Sequence, residues 1–529
     1  MSLGDSGSMA ITAVIPSHEE KRLREFYQIV YLLSSLDLRR GDRIKKGISA
    51  EQEWITVAEH RRNMADALAY ISAYDKTPGR VTAVALGKEK GKLVVWIAAN
   101  QKVRPEVEPF LKKLFKRLDQ IAHGPELGCD RLVNFVLRFN WKGVQKYYTK
   151  FHDSWATYYE SQQSTGHNHS ILQKLDIWVQ GTSPKDPKNL QQKSMVNLAR
   201  KCHKDRNRDG GVFDLLKKAS TQGIMSSDVC ERLCNLLLKI GKPITLCRKL
   251  IDARKSLPED FENGAVVKPI HVSPRPSDGT ERNYSFDSIT DRIFPTESEK
   301  QTFYHHVNQF YDRDVASEKL QTYVNSHPRF RVHAEIQLIS YFDTNHSPLL
   351  EEGNPYIGCS KPACYLCYKY ITHHPRQWFQ PPSHQKLYPH WGLPEPRGEE
   401  KREEFLATTA EVLQRELEED ITKERGPRSA CDDSTAGVTS VPRTGGMKRE
   451  ESANPRLTSN KDMVAGNAVI VSRRALRAVI GGVEGIGKPD HHADYTDDDD
   501  ADDDADDADD DADDDDDDDD DDEGGVRLR

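Results

Sequence analysis

From residue 18 to about 79 apolar residues recur at three- and four-residue spacing, in "EEKRLREFYQIVYLLSSLDL" and "EQEWITVAEHRRNMADALAYISAY", which predicts an N-terminal helical region at 18–79. The period then changes. "RVTAVALGKEKGKLVVWIAANQ" sets two β-rich apolar runs around a Gly-Lys-Glu-Lys-Gly turn, so residues 80–101 read as a hairpin. Both faces of "LVVWIAA" are apolar, and that strand should lie in a sheet covered on both sides. Helical spacing returns over 104–325, clearest in "PEVEPFLKKLFKRLDQIA", "DRLVNFVLRFNWKGVQKYYTKFHDSWATYYES" and "SSDVCERLCNLLLKIG". Residues 254–290, rich in Pro, Gly and Asp, read as a long loop within this region, and a further helical segment is expected at about 297–324.

Beyond residue 326 two short extended segments each lead into a helix. "RFRV" precedes "HAEIQLISYF", with the helix beginning at His333, and "PYIG" precedes "CYLCYKYITHH", with the helix beginning at about Cys364. A charged amphipathic helix, "EEKREEFLATTAEVLQRELEEDITKER", closes a region spanning 326–425. Residues 1–17 and 426–529 carry too few apolar residues in any regular spacing to form a core, and are expected to be disordered. No internal repeat is evident.

Charge changes this picture only at the C-terminus. Residues 497–523 hold 22 Asp and one Glu, interrupted only by Ala, so residues 1–496 carry 73 Lys and Arg against 62 Asp and Glu, a net +11. The body could accept a polyanion, and the tail could compete for that surface or attract a basic protein partner. A self-repelling Asp run is also simply solubilising. No apolar run is long enough to span a bilayer, and "MSLGDSGSMAITAVIPSHEEKR" lacks a basic segment leading into an apolar core. An intracellular protein, cytoplasmic or nuclear, with no membrane partner is expected. Its nine cysteines, an uneven odd number, favour thiols or metal ligands over a disulfide framework.

Candidate chemistry concentrates at the two strand-to-helix junctions. Cys364 and Cys367, three apart in a first helical turn, point to one side, and the helix N-terminus favours their thiolates. In mid-helix, His333 and Glu335 would diverge by about 200°, but at a helix start His333 takes the less constrained cap position. One His, two thiolates and a water complete a tetrahedral zinc with an exchangeable position, leaving Glu335 as an uncoordinated carboxylate beside it. A closed structural site is the alternative: Cys359 as a fourth protein ligand, or His373 joining Cys367 through its C-x₅-H spacing. Cys230 and Cys234, four apart on one helix face, and the adjacent Cys202 and His203 read as packing.

"HAE" and "CYLC", each at a strand-to-helix junction, resemble the H-x-E and P-C-x-x-C signature of zinc-dependent nucleoside and nucleic-acid deaminases. More narrowly, "VHAEIQL", "YIGCSKPACYLC" and "HQKLYPHWGLP" resemble a group of fungal deaminase-like proteins, over roughly residues 326–397. The resemblance implies a three-layer α/β/α cytidine-deaminase-like domain with zinc on His333, Cys364 and Cys367. It further implies Glu335 as proton shuttle, and hydrolytic deamination of an amino-bearing nucleobase in a nucleoside, nucleotide or nucleic acid. The sequence departs from the signature at Ala363, with Pro362 one residue earlier than expected.

Such deaminases begin their sheet with a hairpin, yet the residues before His333 read as helix. The hairpin at 80–101 would supply it if the helical stretch 104–325 is an insertion, which requires residues 93–99 and 355–359 to pair in one sheet. Otherwise the hairpin belongs to a separate N-terminal helical region. Its ending "IAANQ" resembles the deaminase second strand and marks Asn100 as a substrate contact, with His384 and Trp391 marked by "HQKLYPHWGLP". The rival from another class is a non-catalytic interaction protein in which zinc only holds the C-terminal region together.

Overall fold

Two antiparallel strands, β1 (Thr82–Glu89) and β2 (Lys92–Ala99), form the centre of the sheet in this computed structural model. Lys90 and Gly91, both at positive φ, make the two-residue turn between them, the conformation that matches strand twist in a tight hairpin. The structure describes residues 18–45, 54–122, 128–164, 169–182, 192–273, 284–325, 330–394, 399–428 and 471–472. The expected disorder at 1–17 and 426–529, and with it the Asp run, lies outside the described residues apart from 426–428 and 471–472. Val471–Ser472 pair antiparallel with Trp54–Ile55.

The period-2 pattern of the hairpin divides the interior in two. Val84, Leu86, Leu93, Val95 and Ile97 enter one core together with α2 (Val57–Ser72), the helix Val107–Ala122 and α3 (Ser227–Ser256). Ala83, Ala85, Val94, Trp96 and Ala98 enter another, shared with α1 (His18–Leu36), α4 (Ala334–Asn345) and α5 (Tyr365–His373). Trp96 is fully buried there, edge-on to Phe342 of α4 at 5.0 Å between ring centres. The hairpin is therefore covered on both faces, and the fold is a helix-rich α/β arrangement around a small four-stranded sheet.

The sheet order departs from expectation in two ways. β4 (Gly358–Cys359) pairs antiparallel with β1, through Val84 and Gly358 and through Ala83 and Cys359, so β2 shares the sheet one strand away and makes no direct pairing with 355–359. The outer edge beside β2 is β3 (Ala265–Ile270), parallel to it from Leu93 and Ala265 to Ala98 and Ile270. This strand lies inside the stretch expected as a loop, 254–290. "AVVKPI" buries only Val267 and contains Pro269, which reads as a strand breaker; at a sheet edge the missing N–H removes no ladder bond.

The helical segment expected at 297–324 is two helices, Glu297–Phe310 and Arg313–Asn325. Asp312 breaks it, because its carboxylate accepts the N–H groups of Asp314 and Val315 and starts the second helix. Among the described residues, seven helices between Val107 and Ser256 pack on the α2 side of the hairpin. After α5 the chain passes through isolated bridges at Ser383, Lys386 and Trp391 and a turn at Pro389 and His390 before α6 (Glu399–Thr422). Among the described residues no helix is long and apolar enough to cross a membrane.

Candidate metal centre

His333 caps α4 with extended backbone, φ −65° and ψ 153°, so its side chain leaves the helix axis rather than following it. Cys364 occupies the same position at α5, with φ −73° and ψ 172°, and its Sγ accepts the Cys367 N–H at 3.4 Å. The two caps face each other. His333 Nδ1 lies 3.5 Å from Cys364 Sγ and 3.3 Å from Cys367 Sγ. Ligands at about 2.3 Å (S) and 2.0–2.1 Å (N) around a tetrahedral zinc would sit about 3.6 Å apart, so these donors already have nearly the spacing a shared ion requires. All three donor atoms lie within 4.8 Å of one another, and Cys359 and His373 are outside the group.

The electrostatics favour a cation between them. Burial opposes ionisation of Cys364, but the hydrogen bond with Cys367 and the charge of His333 outweigh it and hold the thiol below its ordinary range. Burial and then the neighbouring Cys364 push Cys367 well up. His333 is raised because Cys364 outweighs the cost of burying its charge. One thiolate is thus stabilised by an imidazolium while the second is suppressed by the first, a conflict a divalent ion in their midst resolves. The donor set fits zinc, with three protein ligands and one position left for a water.

Glu335, in the first turn of α4, is 5% exposed and acts electrostatically on all three of these groups. Cys359 is buried on β4, its thiol pushed well up by burial and then by Glu335, and behaves as a packed small residue. His373 is exposed on α5 with its ring against the Lys369 carbonyl. A Cys₃His arrangement and the C-x₅-H pairing are both absent from this geometry.

Three expected substrate contacts are placed differently from one another. Asn100 accepts the Ala334 N–H at 3.0 Å and donates to the Pro78 carbonyl at 3.1 Å, so both ends of its amide hold the hairpin end and the preceding loop against α4. Trp391 is fully buried, and its indole N–H donates to Cys367 Sγ at 3.1 Å. In place of the expected base contact, its ring packs in the core and its polar end is spent on a sulfur. His384 lines a cleft beside the centre with Lys76, Lys361 and Pro362. It also stands edge-on to Tyr388, which stands edge-on to His333.

Gln337, quoted within "VHAEIQL" but not singled out, is 1% exposed and donates to the Ala99 and Val332 carbonyls at 2.7 and 2.8 Å, while accepting the Val272 N–H at 3.1 Å. Its one local signal was a polar residue on an otherwise apolar helix face. The eight cysteines among the described residues are free thiols.

Residues 332–395 match the family model described as "OTT_1508-like deaminase". That stretch contains His333, Cys364 and Cys367, together with Glu335, His384 and Trp391. No curated protein and no solved structure gives a significant match to this chain. A deaminase-type region carrying a His/Cys/Cys cluster compatible with zinc is what the sequence, the geometry and this match support together.

Proposed function

We propose that this protein is a zinc-dependent hydrolytic deaminase of an amino-bearing nucleobase, carried as a nucleoside, a nucleotide or within a nucleic acid. The observation that carries the reading is the convergence of His333, Cys364 and Cys367 beside the buried carboxylate of Glu335. The narrower resemblance to fungal deaminase-like proteins and the cytidine-deaminase-like α/β/α layering belong to the same proposal. The layering is supported by the sheet that β1 and β2 share with the segment leading into the second zinc helix. Free thiols fit a reducing intracellular compartment.

Zinc bound by the three side chains supplies the Lewis acidity that makes water a nucleophile near neutral pH. Glu335 takes the proton that the attacking water loses and delivers it to the ring nitrogen, then takes the proton of the newly formed hydroxyl and delivers it to the departing amino group. Water and the amino-bearing base thus become the oxo base and ammonia. Trp391 holds Cys367 in place through its indole N–H, and Asn100 fixes the start of α4, and with it His333 and Glu335, against the end of β2.

Replacing Glu335 by Ala should reduce ammonia release by about 10²–10⁴-fold while one zinc per chain is retained. Elemental analysis and an ammonia assay over free bases, nucleosides, nucleotides and single strands read the two quantities separately. Undiminished turnover in Glu335→Ala would overturn the role of Glu335. Zinc without ammonia from any of these substrates would leave the interaction-protein reading in its place.

A further inference from the structure

The basic surplus of the chain is concentrated in one region. Residues 107–256 carry 27 Lys and Arg against 14 Asp and Glu, whereas the rest of residues 1–496 carries 46 against 48. The helices on the α2 side of the hairpin therefore hold the whole surplus, and the chemistry at the candidate centre makes no use of it. A field of one sign over one region attracts and steers a polyanion.

Three of these helices bring their cations together. The helix Val107–Ala122 lies against Gly128–Phe139, with Phe110 stacked on Phe139 at 3.8 Å and the Arg117 guanidinium 4.7 Å from the centre of the Phe135 ring. Gln192–Asp205 lies against Gly128–Phe139 as well: Arg200 donates to Asn134 at 2.9 Å and to Asp130 at 3.3 Å, and the Gln192 amide donates to the Arg138 carbonyl at 2.9 Å. At about 100° per residue, Arg131 and Arg138 fall between Phe135 and Phe139 on one flank of the middle helix and Asp130 and Asn134 on the other. The exposed stripe of that helix thus runs between Arg117 and Arg200.

The flanking helices continue the stripe. Lys113 stands one turn before Arg117, and Lys193 and Lys204 stand seven residues before and four after Arg200. Lys113, Arg131, Arg138, Lys193 and Lys204 are exposed, while Arg117 and Arg200 are half-buried. Among the described residues, Arg200 alone of these seven forms an ion pair, with Asp130. Glu108 and Asp119 lie off the Lys113–Arg117 stripe of their helix and pair with Lys112 at 2.7 Å and Arg254 at 2.8 Å. Along their helix axes Arg131 and Arg138 are about 10 Å apart, and Lys193 and Lys204 about 16 Å. One phosphate meets one or two of these cations; a strand with a phosphate at every nucleotide meets several in series.

We propose that this three-helix face binds the phosphate backbone of a single-stranded nucleic acid. Cations on phosphates hold a strand without reading its sequence, and a single strand leaves its bases unpaired for chemistry at an amino group. The inference rests on the deaminase reading only for what the strand is used for, and it narrows the carrier of the base to a strand.

Fluorescence anisotropy of the zinc-loaded full chain with a labelled single strand of about 20 nucleotides, as RNA and as DNA, between about 50 and 200 mM salt tests this. The logarithm of the affinity should fall linearly with the logarithm of salt concentration. Arg131→Gln, Arg138→Gln and Lys193→Gln combined remove three phosphate contacts, which should weaken binding at least about tenfold and flatten the slope by about 2. A control of equal net charge, combining Lys21→Gln, Lys92→Gln and Lys319→Gln at exposed positions outside the face, should bind as the wild type does. No binding by the full chain, or an equal loss in the control, would overturn the proposal. Competition by a poly-aspartate peptide of matched charge as strong as by unlabelled strand would also overturn it, and would give the face to an acidic peptide, the chain's own Asp run included. Ammonia release from the same strand is measured in parallel. Binding that depends on the three cations without ammonia defeats the deaminase reading alone, and ammonia with KM unchanged in the triple variant defeats the surface alone.

Discussion

The indole of Trp391 and the ammonium of Lys242 are two polar ends buried in the interior. Trp391 donates to Cys367 Sγ at 3.1 Å, and a hydrogen bond to a metal-ligating sulfur both orients it and offsets its negative charge. Trp391→Phe keeps an aromatic ring in the core and removes only the donor side of that bond. Zinc affinity should fall by about 10–100-fold, measured by competition with a chromophoric chelator, while saturating metal still gives one ion per chain. An unchanged affinity would remove Trp391 from the centre. Lys242 is brought down to about 7 from its ordinary 10.5, first by burial, with Asp66 opposing the shift and Lys249, Lys239 and Arg43 adding to it. Between these two values the unfolded chain holds a proton the folded chain has released, so stability rises with pH across that window and the gain is absent below it. Lys242→Met should therefore be more stable than the wild type at pH 7, with a smaller rise in melting temperature from pH 7 to 10. An equally steep rise in the variant would assign the pH dependence elsewhere.

At the scale of elements, both helices at the candidate centre start at a residue that is a cap and a candidate metal donor at once. A cap has extended backbone, which frees its side chain to turn away from the helix axis, and this is why His333 and Cys364 can face one another. The start of α4 is held to the sheet by side chains rather than by strand pairing. Asn100 takes the Ala334 N–H, and Gln337 bridges Ala99, Val332 and Val272, tying the end of β2 to the residues on either side of it. Gln337→Leu preserves volume but orphans two carbonyls and one N–H. The expected cost is about 1–3 kcal/mol for a buried group left unsatisfied, read as a lower urea midpoint at unchanged slope. A loss within the error of the wild-type midpoint would show that solvent replaces those bonds. Gln337 was invisible as an anchor in the sequence because its three partners lie near residues 99, 272 and 332, and no local pattern joins them. The edge strand β3 was hidden for a related reason, since its pairing partner β2 begins 173 residues before it.

For the molecule as a whole, the sheet that positions the centre is assembled from distant stretches of chain. Its central strands are residues 82–99, whereas β4 and both ligand helices lie beyond residue 333. Trp96 and Val94 of β2 share a core with α4 and α5, so the C-terminal region on its own would expose that apolar face and lose the neighbour of β4. A fragment spanning 330–428 should show no cooperative thermal transition and bind no stoichiometric zinc. Cooperative unfolding of that fragment, with one zinc bound, would show that the hairpin is dispensable to it. The helices of residues 107–256 pack on the opposite face of the same hairpin, which makes the hairpin the structural link between the two cores.

The sequence by itself determined the local signals: helical spacing, the hairpin with its alternating faces, and two short motifs whose ligands are close together in the chain at the start of helices. These were legible because hydrophobic periodicity and cap chemistry act over a few residues. The tertiary structure alone decided the separation of His333 from the two thiols, the neighbour of β4 within the sheet and the burial of Trp391 against Cys367. Each of these depends on which distant segments pack together, and that is settled by burial over the whole chain, for which no residue carries a local mark.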